Sequence, residues 1–218
     1  RKSVSRRMIA DVPVGVLLSG GVDSSLIVGL LAEAGQSDLK TFSIGFEEVN
    51  GEKGDEFQYS DLIAKHFGTD HHKLMIDSKR MLATLPNVIA SMSEPMVSHD
   101  NVGFYLLSEA VSQHVKVVQS GQGADEVFGG YHWYPPLADS NDPVGDYKRA
   151  FFDRDFADYR ELIGADYVTG NGKSGDHAHA LVEEHFARPG AATPVDRALR
   201  LDTTVMLVDD PVKRVDNM

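Results

Sequence analysis

Leu17-Leu18-Ser19-Gly20-Gly21-Val22-Asp23-Ser24-Ser25 is the stretch whose reading decides the architecture of this chain. Ahead of it, the apolar run Val12 to Leu18, with Pro13 near its start, reads as a short buried strand. Behind it, Leu26-Ile27-Val28-Gly29-Leu30-Leu31-Ala32 is long and apolar enough for a core-facing helix. Asp23, Ser24 and Ser25 fall where N-cap and first-turn residues belong. A strand, a tight Gly turn and a helix N-terminus together make an anion site. Unpaired backbone N–H groups point outward, the helix dipole favours negative charge, and the glycines let an anion approach the backbone. The plainer alternative is a Gly-rich turn that only caps a helix. Three hydroxyls, two glycines and an acid at one junction favour the anion site.

Outward from this stretch, the chain alternates. Arg1 to Ala10 is expected as a helix before the first strand. Gly35 is a good C′ residue, and Leu39 to Phe46 alternates like a second strand. Asn50-Gly51-Glu52-Lys53-Gly54 is expected to be an exposed loop. A helix then begins at Asp55-Glu56, buries Phe57, Leu62, Ile63 and Phe67, and ends at Gly68. His72 to Ile76 reads as a third strand, Ser78 to Met92 as a helix interrupted or kinked at Pro86, Val102 to Val111 as a helix, and Val115 to Val118 as a fourth strand. Strands alternating with helices imply an α/β fold, a parallel sheet with helices on both faces. Ligands then bind beyond the carboxyl ends of the strands.

From Pro135 the character changes. Residues 138–146 and 169–180 carry no apolar period and read as long surface loops. Tyr147 to Leu162, Ala178 to Phe186 and Asp196 to Val208 are expected helices. The chain therefore reads as one domain, an α/β core over about residues 8–134 and a helical C-terminal region over about 135–218.

Ser120-Gly121-Gln122-Gly123-Ala124-Asp125-Glu126-Val127-Phe128-Gly129-Gly130-Tyr131 repeats the logic of the first loop. A strand runs into a Gly turn, and acids open a helix. Two such turns could face one ligand, with Asp23 and Asp125 sharing its metal, although an acid near a helix start is most often a cap.

The first loop is neither a Walker loop nor a dinucleotide fingerprint, because neither spacing occurs. It resembles the pyrophosphate loop (PP-loop) of the N-type ATP pyrophosphatases, an adenine nucleotide α-hydrolase-like fold. Taken in order, Ser19-Gly20-Gly21-Val22-Asp23-Ser24-Ser25, Thr41-Phe42-Ser43-Ile44-Gly45-Phe46, Gly68-Thr69-Asp70-His71-His72 and the second loop resemble the synthetase domain of glutamine-hydrolysing asparagine synthetases. Asp210 to Met218 is similar to the segment that precedes that family's Arg-Val-Pro-Phe-Leu-Asp motif. The resemblance implies ATP-dependent activation of a carboxylate as an acyl-adenylate, release of pyrophosphate, and attack of ammonia to give an amide. It implies that Ser19, Gly20, Gly21, Asp23 and Ser24 hold pyrophosphate, with Mg²⁺ on Asp23 and Asp125. Leu18 and Ser43-Ile44-Gly45 would flank adenosine, and Ser120-Gly121 would meet the α-phosphate. Implied partners are ATP, a small-molecule carboxylate acceptor and a glutaminase domain in the full-length chain; a homodimer stays open.

Three features depart from the pattern. Gln122 stands where the family usually has Glu, so either ammonia needs no general base or another acid, such as Glu126, serves. Glu126 equally fits plain helix stabilisation. The acceptor segment Met92 to Asp100, and Gly51 to Glu56, look closer to the related ligases that amidate N-acetylglutaminylglutamine than to aspartate-using enzymes. The glutaminase domain and the family's C-terminal lysine are missing, and the chain reads as cut at both ends.

A net charge of −12 argues against nucleic acid as a partner, and no run approaches a membrane span. Zero cysteines exclude disulfides and thiol catalysis, which leaves the cytoplasm as the expected location. His71 and His72, adjacent on a strand, point to opposite faces and should not converge on one ion. His99 is a candidate for substrate contact. Tyr131, Trp133 and Tyr134 read as core packing first and acceptor lining second. The competing functions are a β-lactam-forming synthetase and a non-catalytic nucleotide-binding module. A thiouridylase-type enzyme is disfavoured by the lack of cysteine.

Overall fold

A computed structural model describes residues 1–49, 52–95, 98, 100–164 and 175–218. The chain forms two compact units, Arg1–Gln122 with Asp210–Met218, and Gly123–Asp209.

The first unit runs α1 (Lys2–Arg6), β1 (Val14–Leu17), α2 (Val22–Glu33), β2 (Lys40–Val49), β3 (Glu52–Gly54), α3 (Phe57–Phe67), β4 (Asp70–Ile76), α4 (Ser78–Ser91), α5 (Asp100–Ser112) and β5 (Val117–Gln119). Four strands are parallel in the order β4-β2-β1-β5, and β3 joins β2 antiparallel. Side chains alternate across the sheet. Val16 and Leu18 pack with Val28 and Leu31 of α2 and Ala64 of α3, whereas Leu17 turns the other way, toward Phe42 and the α5 residues Leu107 and Val111. A further cluster joins Ile76, Val88 of α4, Val102 and Leu106. Helices therefore cover both faces, as the sequence implies. β1 has β2 on one side and β5 on the other, so the strand order reverses between β1 and β5. Ligand crevices form at such a switch point.

Several boundaries differ from the sequence expectation. Glu52–Gly54, expected as loop, pairs antiparallel with the end of β2; residues 50–51 lie outside the described set. In α3 the buried positions are Ser60 and Ala64, while Leu62 is 67% exposed. Small side chains let this helix approach the first Gly loop, and the apolar pattern alone did not show it. α4 crosses Pro86 as one element.

In the second unit lie α6 (Ala124–Phe128), α7 (Tyr134–Leu137), α8 (Pro143–Phe151), α9 (Phe156–Leu162), α10 (His177–Ala187), α11 (Pro194–Leu201) and a π-helical turn, Asp202–Met206. Asp142, Asp155 and Asp176 cap α8, α9 and α10, and Thr193 with Asp196 forms a capping box on α11. The helix expected over Tyr147–Leu162 is therefore two, separated where Asp155 starts the second. Residues 143–146, expected as loop, are helical from Pro143. The expected helix Asp196–Val208 starts at Pro194 and widens at Asp202. Of the loop expected at 169–180, residues to 174 lie outside the described set, and His177 onward is helix. Tyr134, Leu137, Tyr147, Val182, Phe186, Ala198 and Leu201 form the core. Among the described residues no helix is long and apolar enough to cross a membrane.

Candidate functional site

The first loop leaves the sheet where β1 ends. Leu18 N–H still donates to Phe42 C=O at 2.8 Å, and the chain then turns through Gly20 at φ +91°. A side chain at Gly20 would put Cβ 2.6 Å from Tyr59 Cβ and 2.7 Å from Ser60 N, so only glycine fits this close approach to α3. Gly21, not Asp23, Ser24 or Ser25, is the N-cap of α2, and it has no side-chain cap. Those three residues lie inside the first turn. Ser24, buried, holds the loop together: its hydroxyl accepts from Ser19 N–H (3.2 Å), meets the Ser19 hydroxyl (3.0 Å) and donates to Gly21 C=O (3.2 Å). Gly21 N–H donates to Ser19 Oγ at 3.2 Å. These hydroxyls shape the loop, a role that residue type alone does not distinguish from ligand contact.

The first intrahelical bond runs from Ser25 N–H to Gly21 C=O at 3.1 Å. The amides of Val22, Asp23 and Ser24 have no acceptor among the described residues, as expected at an open helix start. Asp23 sits among them, and its carboxylate has no side-chain partner among the described residues. Ser25 Oγ is buried without a partner.

Around the expected adenosine flank, Leu18 is 1% exposed and its side chain belongs to the core. The Ser43 hydroxyl donates to Leu18 C=O. Ile44 packs on the opposite face, beneath α5. At Gly45 a Cβ would lie 2.7 Å from both Asp55 Cβ and Phe57 Cζ. What this flank offers a ligand is therefore backbone.

The second loop divides between the units. Ser120, Gly121 and Gln122 follow β5 in the first. Ser120 Oγ accepts from Gln122 N–H at 3.1 Å, which forms the turn. Gly121 lies against the first loop: a Cβ there would be 3.2 Å from both Ser24 N and Asp23 Cβ. The two strand ends thus meet, and the missing side chain leaves the Ser24 amide uncovered. Gln122 is exposed. In the second unit, Gly123 caps α6 at φ +88°, and Asp125 takes the same second helical position that Asp23 takes in α2. Asp125 C=O accepts from Gly129 and Gly130 N–H. Glu126 is 1% exposed, and its Oε1 accepts from the Tyr131 hydroxyl at 2.7 Å, while Oε2 is buried without a partner. That is a stronger arrangement than a surface acid near a helix dipole. Among the described residues no three His, Asp or Glu side chains gather to hold a metal. One or two carboxylates suffice for Mg²⁺ where phosphate and water oxygens complete its shell, which is how it is usually held.

His71 and His72 face opposite ways. His71 Nδ1 meets Thr41 Oγ1 at 2.8 Å, and burial lowers its pKa. His72 stacks on Phe42 at 5.2 Å. His99, Met96 and Val97 lie outside the described residues. The rest of the acceptor segment is tied to the closing helix Lys213–Asn217, through Ser93 N–H to Asn217 Oδ1 at 2.8 Å and an ion pair of Glu94 with Lys213. Arg214, buried, donates to Ser98 Oγ (2.9 Å) and Asp100 Oδ2 (2.7 Å). Sequence reasoning missed this anchor, whose partners are more than a hundred residues away.

It also missed Asp202, which is fully buried in the second unit. The hydroxyls of Tyr134 and Tyr147 donate to it, and burial pushes its pKa up. An acid among Ala198, Leu201 and Val205 was the available signal. Tyr131, Trp133 and Tyr134 do pack into the core beside it.

The chain thus carries a parallel α/β sheet with an open helix N-terminus at its switch point, the general geometry of phosphate-binding sites. The family model described as asparagine synthase matches residues 1–218, and the chain belongs to that family. It is 41% identical over 130 residues to a putative glutamine-hydrolysing asparagine synthetase 2 of Methanocaldococcus jannaschii, covering 59% of this chain and 24% of the relative. It is 37% identical over 132 residues to asparagine synthetase 1 of Bacillus subtilis, covering 61% and 20%. A fungal relative, the amidase chyE of Penicillium rubens, is 32% identical over 144 residues, covering 60% and 21%. The chain spans a fifth to a quarter of the length of these relatives.

Proposed function

We propose that both units belong to one synthetase domain of a glutamine-dependent amide ligase. It adenylates a carboxylate with ATP, and ammonia then displaces AMP. The carrying observation is the open start of α2 at the switch point. There the amides of Val22, Asp23 and Ser24 are unpaired among the described residues, and Gly121 keeps a side chain away from the Ser24 amide. These amides would take the pyrophosphate oxygens, which gain charge as the leaving group departs, and fixed dipoles stabilise charge that develops in a transition state. Asp23 and Asp125 are the proposed Mg²⁺ ligands. The ion would add charge neutralisation on the leaving group. Leu18, Ser43, Ile44 and Gly45 would border the adenosine with backbone. Ser120 and Gly121 would meet the α-phosphate. Such an enzyme would draw ammonia from a glutaminase domain and work in the cytoplasm.

For the acceptor, Gln122 is exposed and neutral, with both a donor and an acceptor. That suits a blocked, amide-rich carboxylate such as N-acetylglutaminylglutamine better than the dianion aspartate. ATP–pyrophosphate exchange by the full-length protein, with the two acceptors side by side, tests both levels. Exchange with aspartate alone returns the protein to asparagine synthesis. ATP binding without exchange for any carboxylate points to a nucleotide-binding module.

A further inference from the structure

Asp202 is an acid in an apolar core. Three ring donors converge on it: the Tyr134 hydroxyl at 2.5 Å, the Tyr147 hydroxyl, and the Trp133 indole N–H at a long 3.4 Å. A carboxylate taken out of water destabilises a fold unless donors match its oxygens. Packing alone would be served by an apolar residue of similar size. The backbone also departs from regular helix here. The π-helical turn begins at Asp202, and the hydroxyls of Thr203 and Thr204 donate to Leu199 C=O (2.7 Å) and Arg200 C=O (2.6 Å). Such wide turns occur frequently at functional sites.

The rings that Asp202 fixes lead to Glu126. Trp133 stacks on Tyr131 with centroids 4.2 Å apart and planes 19° from parallel. The Tyr131 hydroxyl then donates to Glu126 Oε1 at 2.7 Å, and Glu126 Oε2 remains buried and without a partner. A buried unmatched carboxylate oxygen is costly, and in a native structure it calls for a water, an ion or a catalytic use.

We propose that Asp202 is a positioning residue for Glu126. It locks the ring of Trp133, Trp133 holds Tyr131, and Tyr131 pins one oxygen of Glu126 so that the other can accept a proton. The inference rests on the amide-ligase reading. In that reaction the attacking ammonia forms the C–N bond, the C–O bond to AMP breaks with its electron pair leaving on AMP, and one N–H proton passes to Glu126 Oε2.

The test uses the full-length enzyme. Asp202→Asn keeps the shape but replaces an acceptor-only group by an amide, and Tyr131→Phe keeps the ring stack but deletes the hydroxyl to Glu126. Both should lower kcat for amide formation roughly 10–100-fold, with KM for Mg·ATP within about twofold, because general acid–base effects act on the chemical step. Glu126→Gln should cost roughly 100-fold or more. Asp202→Asn added to Glu126→Gln should cost nothing further, since residues acting through one another are non-additive. Multiplying losses, or an unchanged kcat in a folded Asp202→Asn or Tyr131→Phe variant, overturns the proposal. A second readout needs no turnover. With 5-fluorotryptophan incorporated, the ¹⁹F resonance of Trp133, assigned through Trp133→Phe, should move in Asp202→Asn and in Glu126→Gln. A resonance that ignores Glu126→Gln overturns the positioning link. An inactive wild type whose resonance does respond sinks the ligase reading alone.

Discussion

Replacing Gly121 with alanine probes the first loop without altering any residue in it. The new methyl carbon would stand 3.2 Å from the Ser24 amide nitrogen and 3.2 Å from Asp23 Cβ. Neighbours can yield the few tenths of an ångström this needs, and Gly121 is not among the glycines held at positive φ. The stability loss should stay near about 1 kcal/mol, the low end of overpacking. The effect on ligand is larger. The methyl covers one amide of the helix start, and a hydrogen bond from an amide to a charged oxygen contributes about 1.5–3 kcal/mol. Kd for Mg·ATP and for pyrophosphate should therefore rise roughly 10–100-fold. Calorimetric titration of the full-length protein with Mg·ATP, pyrophosphate and adenosine, beside thermal unfolding without ligand, makes the measurement. Adenosine carries no phosphate and should bind as before. A folded variant whose Mg·ATP and pyrophosphate affinities stay within about twofold of wild type would refute the assignment of these amides to phosphate.

Gly20→Ala should behave oppositely, destabilising the fold itself by about 2–5 kcal/mol through positive φ and a backbone collision; a urea midpoint equal to wild type would contradict this. Asp23→Asn should weaken Mg·ATP far more than AMP, because AMP lacks the pyrophosphate that would share a metal with Asp23; equal losses in calorimetry would count against the role. Burial lowers the pKa values of His71 and His185 below the ordinary 6.5, so the unfolded chain takes up more protons as pH falls. Their contribution to stability is complete above 6.5 and is lost below it, so the urea midpoint should drop from about pH 7.5 to about pH 5.5, less so in His71→Gln. A midpoint that rises on acidification would reverse the argument.

The strand, Gly turn and helix around Ser19 were legible because apolar runs broken by glycine have few other solutions. The sheet and its two helical layers followed from the alternation of elements. Asp23, Ser24 and Ser25 do lie in the first turn, but the N-cap itself is Gly21, which good capping types beside it conceal. The buried face of α3 was misread for a related reason: Ser60 and Ala64 are selected for smallness, which an apolar period does not record. The break between α8 and α9 was signalled by Asp155, an N-cap residue hidden inside a stretch of good helix formers. Glu126 stands out in the sequence, but its partner Tyr131 reads there as core packing or acceptor lining and not as a hydrogen-bond partner of that acid. Arg214 was out of reach, since its contacts join segments distant in sequence, and Asp202 was marked only by its apolar neighbours Ala198, Leu201 and Val205, not by its ring partners.

The place of β1 in the sheet also governs how the chain is made. Val14 pairs with Val117, Gly15 with Val118 and Val16 with Gln119, across more than a hundred residues. During synthesis β2 and β4 can zip together early, but one edge of β1 has nothing to pair with until β5 has left the ribosome. Long-range parallel pairing of this kind is slow and exposes unpaired strand edges in the meantime. Because Gly121 follows one residue after β5 and rests on Asp23 and Ser24, the proposed phosphate cradle closes only at that late event. Nascent chains stalled short of residue 121 should lack it, and a nucleotide could not rescue them from aggregation.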